Sequence, residues 1–155
     1  MNKKYSQISD LELAMQDDAV YVRGKAVRVA GEIGADALPL LERAMRDDSM
    51  YVREEAVRAA GKIGVPALPF LERVLQDGDS CIREEVVRAA GEIGVPALYI
   101  LEQAMGDVME IRAEVVRVAG EIGADALPLL ERAIRDKDPY IQKLAMRIAD
   151  NLNIT

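Results

Sequence analysis

Four glutamates return at nearly one interval, Glu42, Glu72, Glu102 and Glu131, and beside them stand Arg43, Arg73, Gln103 and Arg132. Paired carboxylates do acid–base work when an apolar setting raises the pKa of one of them. No two acids share such a setting here, because each glutamate has a cation or an amide as its neighbour. For catalysis the column reads as a solvated helix face. A second acidic pattern, Asp17-Asp18, Asp47-Asp48, Asp77-Gly78-Asp79 and Asp136-Lys137-Asp138, marks four turns. A calcium loop needs several oxygens and a distal glutamate in one short segment, which these turns lack. Capping of the helix that follows accounts for them instead. Cys81 is the single cysteine and the chain has no histidine, so zinc and haem ligation, imidazole catalysis and a disulfide framework lack their parts. Without an activating base, Cys81 reads as a small apolar filler. The expectation is a chain with no catalytic residue, no metal and no cofactor.

The elements that carry these residues repeat. AVRVAGEIGADALPLLERAMRDD from Ala26 returns as AVRAAGKIGVPALPFLERVLQDG from Ala56, as VVRAAGEIGVPALYILEQAMGD from Val86 and as VVRVAGEIGADALPLLERAIRDK from Val115. Gly31, Gly61 and Gly91 lie 30 residues apart, and Gly120 follows after 29 because the turn from Asp107 to Arg112 is one residue short. Partial copies, SQISDLELAMQDD and DPYIQKLAMRIADNLN, stand at the two ends. The organisation is a single domain: a partial repeat 2–16, repeats 17–46, 47–76, 77–106 and 107–135, and a half repeat 136–155. With 50% hydrophobic and 30% charged residues, the 155-residue chain is not a disordered one, and 4% aromatic residues argue against an aromatic-cored sheet sandwich.

Each unit holds two helical patterns. In the first, A, the residues Val52, Ala56, Ala59, Ala60 and Ile63 fall at helical spacing with charges between them. Ser49, Asp79 and Asp138 stand at N-cap positions, Pro139 fits a first helical turn, and Gly34, Gly64, Gly94 and Gly123 end the helices as left-handed caps. The second helix, B, opens at Asp36 or Pro66 and carries two apolar stripes, Leu38, Leu41 and Met45 on one side and Leu40 and Ala44 on another. A helix buried on two sides has neighbours on two sides, which is the arrangement of a stacked solenoid. The fold predicted is all-α, about ten short helices in antiparallel pairs. Asp150 takes the register of Gly120 at the last copy, where a polar residue tolerates water and suggests a closed end.

The unit D-x-x-x-x-V-R-x-x-A-x-x-A-x-G-x-I-G, followed by A-L-P-x-L-E-x-A, resembles the HEAT repeat, and in particular its short thermophile-type and bilin-lyase-type (PBS lyase) forms, from about Ser6 to Leu152. The resemblance implies a right-handed α-solenoid with A helices outside and B helices lining a concave surface. It also implies an Asp–Arg ladder of Asp17 with Arg23, Asp47 with Arg53 and Asp77 with Arg83, the shortened turn leaving Asp107 with Arg112 as the irregular copy. A scarcity of His, Cys and Asn beside many Glu and Arg fits a thermophile.

A HEAT-like scaffold presents a surface, and two are available. On B helices facing a concavity, Glu42, Arg43, Arg46, Glu72, Arg73, Gln76, Glu102, Gln103, Glu131, Arg132 and Arg135 form a mixed-sign column that suits a polar protein or peptide. The alternative is an edge patch at the start of the A helices, Val20, Tyr21, Met50, Tyr51 and Tyr140, in line with Met109 and Cys81. The expected function is a non-catalytic, cytoplasmic protein-interaction scaffold. A bilin-lyase-like subunit is the enzyme alternative. Nucleic-acid binding is a weaker one, since some HEAT-like folds are DNA glycosylases with a basic, aromatic concavity, whereas this chain has net charge −7 and no Trp. No apolar run approaches the roughly 20 residues of a membrane span. Leu13 replaces the basic or amide residue of its column, and Leu144 stands where other copies carry Lys25, Glu55, Glu85 and Glu114. Exposed leucines at the ends would allow weak self-association of an otherwise monomeric chain, and closer packing of the terminal helices is the other explanation.

Overall fold

The computed structural model describes residues 3–152, with side chains from residue 7 onward. The helices are α1 (Lys3–Ala14), α2 (Val20–Ile33), α3 (Leu38–Ala44), α4 (Met50–Ile63), α5 (Leu68–Val74), α6 (Ser80–Ile93), α7 (Leu98–Ala104), α8 (Met109–Ile122), α9 (Leu127–Ile134) and α10 (Pro139–Asn151). Even-numbered helices are the A helices and odd-numbered ones the B helices. A short 3₁₀ turn leads into each of α3, α5, α7 and α9. Among the described residues there is no strand.

Glycine sets the corner between A and B. Gly34, Gly64, Gly94 and Gly123 have φ of 92°, 81°, 78° and 83°. Their ψ values, −152°, −143°, −139° and −138°, place them outside the left-handed helical region. The expected left-handed cap is therefore a mirror-extended one, a conformation closed to almost every residue but glycine. The opposite corner, from B to the next A, is made by aspartate. The first acid of each doublet accepts the backbone N–H two residues on: Asp17 from Ala19 at 2.8 Å, Asp47 from Ser49 at 2.9 Å, Asp77 from Asp79 and Asp136 from Asp138 at 2.8 Å. In the shortened turn Asp107 takes the adjacent N–H of Val108 at 2.7 Å. Asp79 and Asp138 cap their helices through the N–H groups of Cys81 and Tyr140. Ser49 does not, since its hydroxyl makes no cap bond; the Asp47 carboxylate has already organised that turn.

Packing follows the apolar stripes. Leu41, Leu71, Leu101 and Leu130 are fully buried in one continuous core with Val27, Val57, Val87 and Val116, each side chain contributing about 2 kcal/mol of burial. The A helices pack directly on one another in series, α2 on α4, α4 on α6, α6 on α8 and α8 on α10, while B helices pack chiefly on the A helices flanking them. Close A–A approach needs a missing side chain: Gly31 faces Ala59, Gly61 faces Ala89, and a methyl group on Gly91 would stand 2.6 Å from a Val118 methyl. The architecture is the all-α solenoid of antiparallel helix pairs that the two buried sides of each B helix predict.

Candidate functional site

Three columns of charge run along the stack. The first ties the turns together, and its pairing differs from the expected ladder. Arg23 binds the Asp47 carboxylate of the next turn in bidentate fashion, at 2.7 and 3.0 Å, while its remaining nitrogen donates to the Asp17 and Asp18 carbonyls. Arg83 does the same with Asp107 at 2.7 and 2.8 Å and the Asp77 carbonyl. Thus each arginine uses the backbone of its own turn and the carboxylate 24 residues ahead. The own-turn carboxylate is engaged elsewhere, on the N–H groups described above. The shortened copy is intact: Arg112 meets Asp136 at 2.9 and 3.1 Å, and both side chains are almost wholly buried. One rung is open, since among the described residues Arg53 reaches the carbonyls of Asp47 and Asp48 but no carboxylate. Asp47 and Asp107 are held below the usual carboxylate range by their arginines. Burial pushes Asp136 upward, but the Asp138 N–H and Arg112 outweigh it and leave it lowered.

The second column lies on the A helices and was not anticipated. Arg28 donates to Glu55 at 2.9 Å; Arg58 joins Glu55 at 3.1 Å to Glu85 at 2.9 Å; Arg88 joins Glu85 at 3.4 Å to Glu114 at 2.8 Å; Arg117 closes on Glu114 at 2.9 Å. Arg88 also bonds Glu84. Glu55 and Glu85 are buried and Glu114 partly so; burial alone would raise Glu55 and Glu114, yet the two guanidiniums on each hold both below the ordinary value. The signal for this ladder was present in sequence as Arg28, Arg58 and Arg88 standing 27, 27 and 26 residues before Glu55, Glu85 and Glu114, with Arg58, Arg88 and Arg117 three residues after those glutamates.

The third column is the one proposed from sequence. All eleven residues from Glu42 to Arg135 are exposed and sit on the solvent side of α3, α5, α7 and α9 or at their C-terminal ends. Cross-repeat bonds stitch them: Arg73 to Glu42, Gln103 to Glu72 at 3.2 Å, and Arg132 to the Glu102 carbonyl at 3.1 Å. Arg43 and Arg46 flank a shallow recess of about 510 Å³ over Leu38 and Pro39.

The edge residues are divided. Val20, Tyr21 and Tyr140 are exposed, whereas Met50 and Tyr51 are half-buried. The Tyr51 ring lies on Gly24 of the previous A helix, and its hydroxyl accepts from Arg28 at 3.1 Å. Tyr140 accepts from Arg117 at 3.3 Å. Cys81 is exposed, so it does not act as a filler; as the second residue of α6 it points outward like Tyr21. Leu144 is only 5% exposed, which corrects the reading of an exposed leucine, whereas Leu13 stands 71% exposed. Among the described residues, no helix is long and apolar enough to cross a membrane.

The HEAT repeats family matches residues 8–80. No curated protein matches in sequence. Among solved structures, the complex of CpcE and CpcF of phycocyanin lyase from Nostoc sp. PCC7120 is similar to the whole chain, with 21% identity and a TM-score of 0.63. This chain spans 66% of that one. Human deoxyhypusine hydroxylase in complex with glycerol is similar over 97% of this chain and 63% of its own, with 18% identity and a TM-score of 0.61. An engineered protein is similar over 98% and 80%, with 18% identity and a TM-score of 0.54. At these identities the likeness is one of fold.

Proposed function

The chain is a HEAT-like repeat protein, and from that premise we propose that it is a non-catalytic, cytoplasmic scaffold that binds a protein or peptide through its B helices. The observation carrying this reading is the exposed column of alternating Glu, Arg and Gln on four consecutive B helices, whose other sides are locked in the core. Repeat packing fixes the spacing of these side chains before a partner arrives, which lowers the ordering cost of binding. Mixed sign selects a partner with a complementary sequence of charges and disfavours a polyanion. Co-purification from the native source followed by mass spectrometry identifies the partner. Reversing Arg43, Arg73 and Arg132 to Glu together abolishes its binding at moderate salt; retained binding by that variant rejects the B-face reading and moves attention to Tyr21 and Tyr140.

A second reading, a bilin-lyase-like subunit, is favoured by the likeness to the phycocyanin lyase complex over the full length of this chain. In that case incubation with a bilin changes the absorbance spectrum of the purified protein. An unchanged spectrum removes this reading.

A further inference from the structure

The A-helix ladder changes character at its C-terminal end. Leu144 takes the register of Glu55, Glu85 and Glu114, and Arg147 takes that of Arg28, Arg58, Arg88 and Arg117. Arg117 is consequently held by Glu114 and the Tyr140 hydroxyl, with no carboxylate from α10. Among the described residues, neither Arg147 nor Lys143 has a carboxylate partner. Between α8 and α10 lies a groove of about 410 Å³ with Leu144, Ile148 and Leu152 in its lining and Arg117, Arg147 and Glu121 at its charged margins. A smaller recess of about 190 Å³ beside it brings in Lys143 and Tyr140. The groove is thus apolar within, with Arg147 and Lys143 at its margin beside Glu121, and with Arg117 already shared with Glu114.

The opposite end of the stack offers the complement. Leu13 on α1 is the most exposed large hydrophobic side chain among the described residues. Asp10, one helical turn before it, and Glu12 beside it are both exposed. The chain has net charge −7, so two copies repel one another in most orientations. Docking the acidic, leucine-bearing face of α1 on the basic groove is an orientation in which charge and apolar surface both match. Because α1 packs on α2 while α10 packs on α8 and α9, the two features lie at opposite ends of the stack. A molecule cannot fill its own groove with its own α1.

We propose that the chain associates head to tail with a second copy, Leu13 entering the groove of Leu144, Ile148 and Leu152 while Asp10 and Glu12 face Arg117, Lys143 and Arg147. The contact joins unlike surfaces, so it propagates and does not close as a symmetric dimer does. On α1, Glu12 and Leu13 hold the register of Glu42 and Arg43, so the contact borrows the N-terminal end of the B-helix face, while Arg147 lies on an A helix outside that column and Arg147→Glu tests the association independently of that reading.

Sedimentation of the full chain provides the test, at about 20 mM and about 500 mM salt to separate screened from unscreened charge. The weight-average mass rises with protein concentration beyond the dimer at low salt, and the rise is smaller at high salt. Leu13→Ser and Arg147→Glu each remain monomeric alone, with circular dichroism unchanged because both sites are at the surface. Mixed together they form a heterodimer and nothing larger, since one retains an intact groove and the other an intact α1 face. Glu12→Arg combined with Arg147→Glu restores association. A wild-type chain that stays monomeric, an assembly that stops at the dimer, undiminished association of Leu13→Ser, or a mixture that fails to pair overturns the proposal.

Discussion

The A and B helices carry the same kinds of charge at the same thirty-residue interval, yet the two columns are different physical objects. On the A helices the Glu55 side chain is 6% exposed and bridges two arginines from adjacent turns. On the B helices Glu42 is 46% exposed and Arg73 59% exposed, and they meet on the open surface. The cause is the residue that spaces the helices. Gly31, Gly61 and Gly91 let neighbouring A helices approach closely, and the glutamates between them are covered while their arginines stay 42–48% exposed and reach in to pair with them. B helices pack chiefly on their flanking A helices over buried leucines, and the charges of their outer face stay in water. Composition and period do not separate a buried structural ladder from a solvated column; desolvation does.

The sharpest way to break the comparison is to remove one member of a buried pair. Arg112→Ala leaves the Asp136 carboxylate almost fully buried without its bidentate partner. The expected loss is about 3 kcal/mol of unfolding free energy, read as a lowered midpoint in urea with an unchanged slope. Arg73→Ala, which exposes an already solvated Glu42, shifts the same midpoint by less than about 0.5 kcal/mol. Equal losses in the two variants would erase the distinction between the columns.

Acid titration sharpens the comparison with a smaller effect. Asp47, Asp107, Asp136, Glu55 and Glu114 all have folded-state values below the ordinary one. A depressed carboxylate binds fewer protons folded than unfolded, so its stabilisation is complete above the unfolded value of about 4 and disappears as pH falls through the lower folded value. Thermal midpoints are therefore flat with respect to these groups from pH 7 to about 5 and drop below about 4. Replacing Arg28 and Arg58 by Gln flattens the acid limb, because Glu55 loses both cations. Replacing Arg43 and Arg73 by Gln leaves that limb as it was.

The fold was legible because it is written several times over. Leu41, Leu71, Leu101 and Leu130 recur in register with the corner glycines, and a single unit read correctly gives them all. The B column was legible as well, since exposed polar residues on a helix buried elsewhere can lie only on its solvent side. The Asp–Arg ladder was half legible. The resemblance to HEAT repeats implied Asp47 with Arg53 within one turn, but a guanidinium has five donors, and only the stack shows that they divide between one turn's carbonyls and a carboxylate of the next. The A ladder was missed because Glu55 and Arg58 lie among the charges between the apolar positions of one helix; the cover over Glu55 comes from packing against the neighbouring helix, while Arg58 stays 42% exposed. For Leu144, closer packing of the terminal helices and not exposure is the reading that holds. Its cover comes from packing around α10, which its position near the end of the sequence does not reveal.

The smallest expected effect gives the cleanest measurement of what burial adds to one ion pair. A double-mutant cycle on Arg58 and Glu85 removes each partner and then both, isolating the pair from packing losses common to the single variants. Arg58 also binds Glu55 and Glu54, and Glu85 also binds Arg88, so the cycle is carried out in an Arg88→Ala background to remove one competing bond. The coupling expected there is about 1 kcal/mol, at the upper end for pairs open on one side to water. The matching cycle on Arg73 and Glu42 gives a few tenths of a kcal/mol, and it falls toward zero in high salt while the Arg58–Glu85 value falls less. If both couplings are equally small and equally screened, the A ladder is as solvated as the B column and its glutamates are held by packing alone.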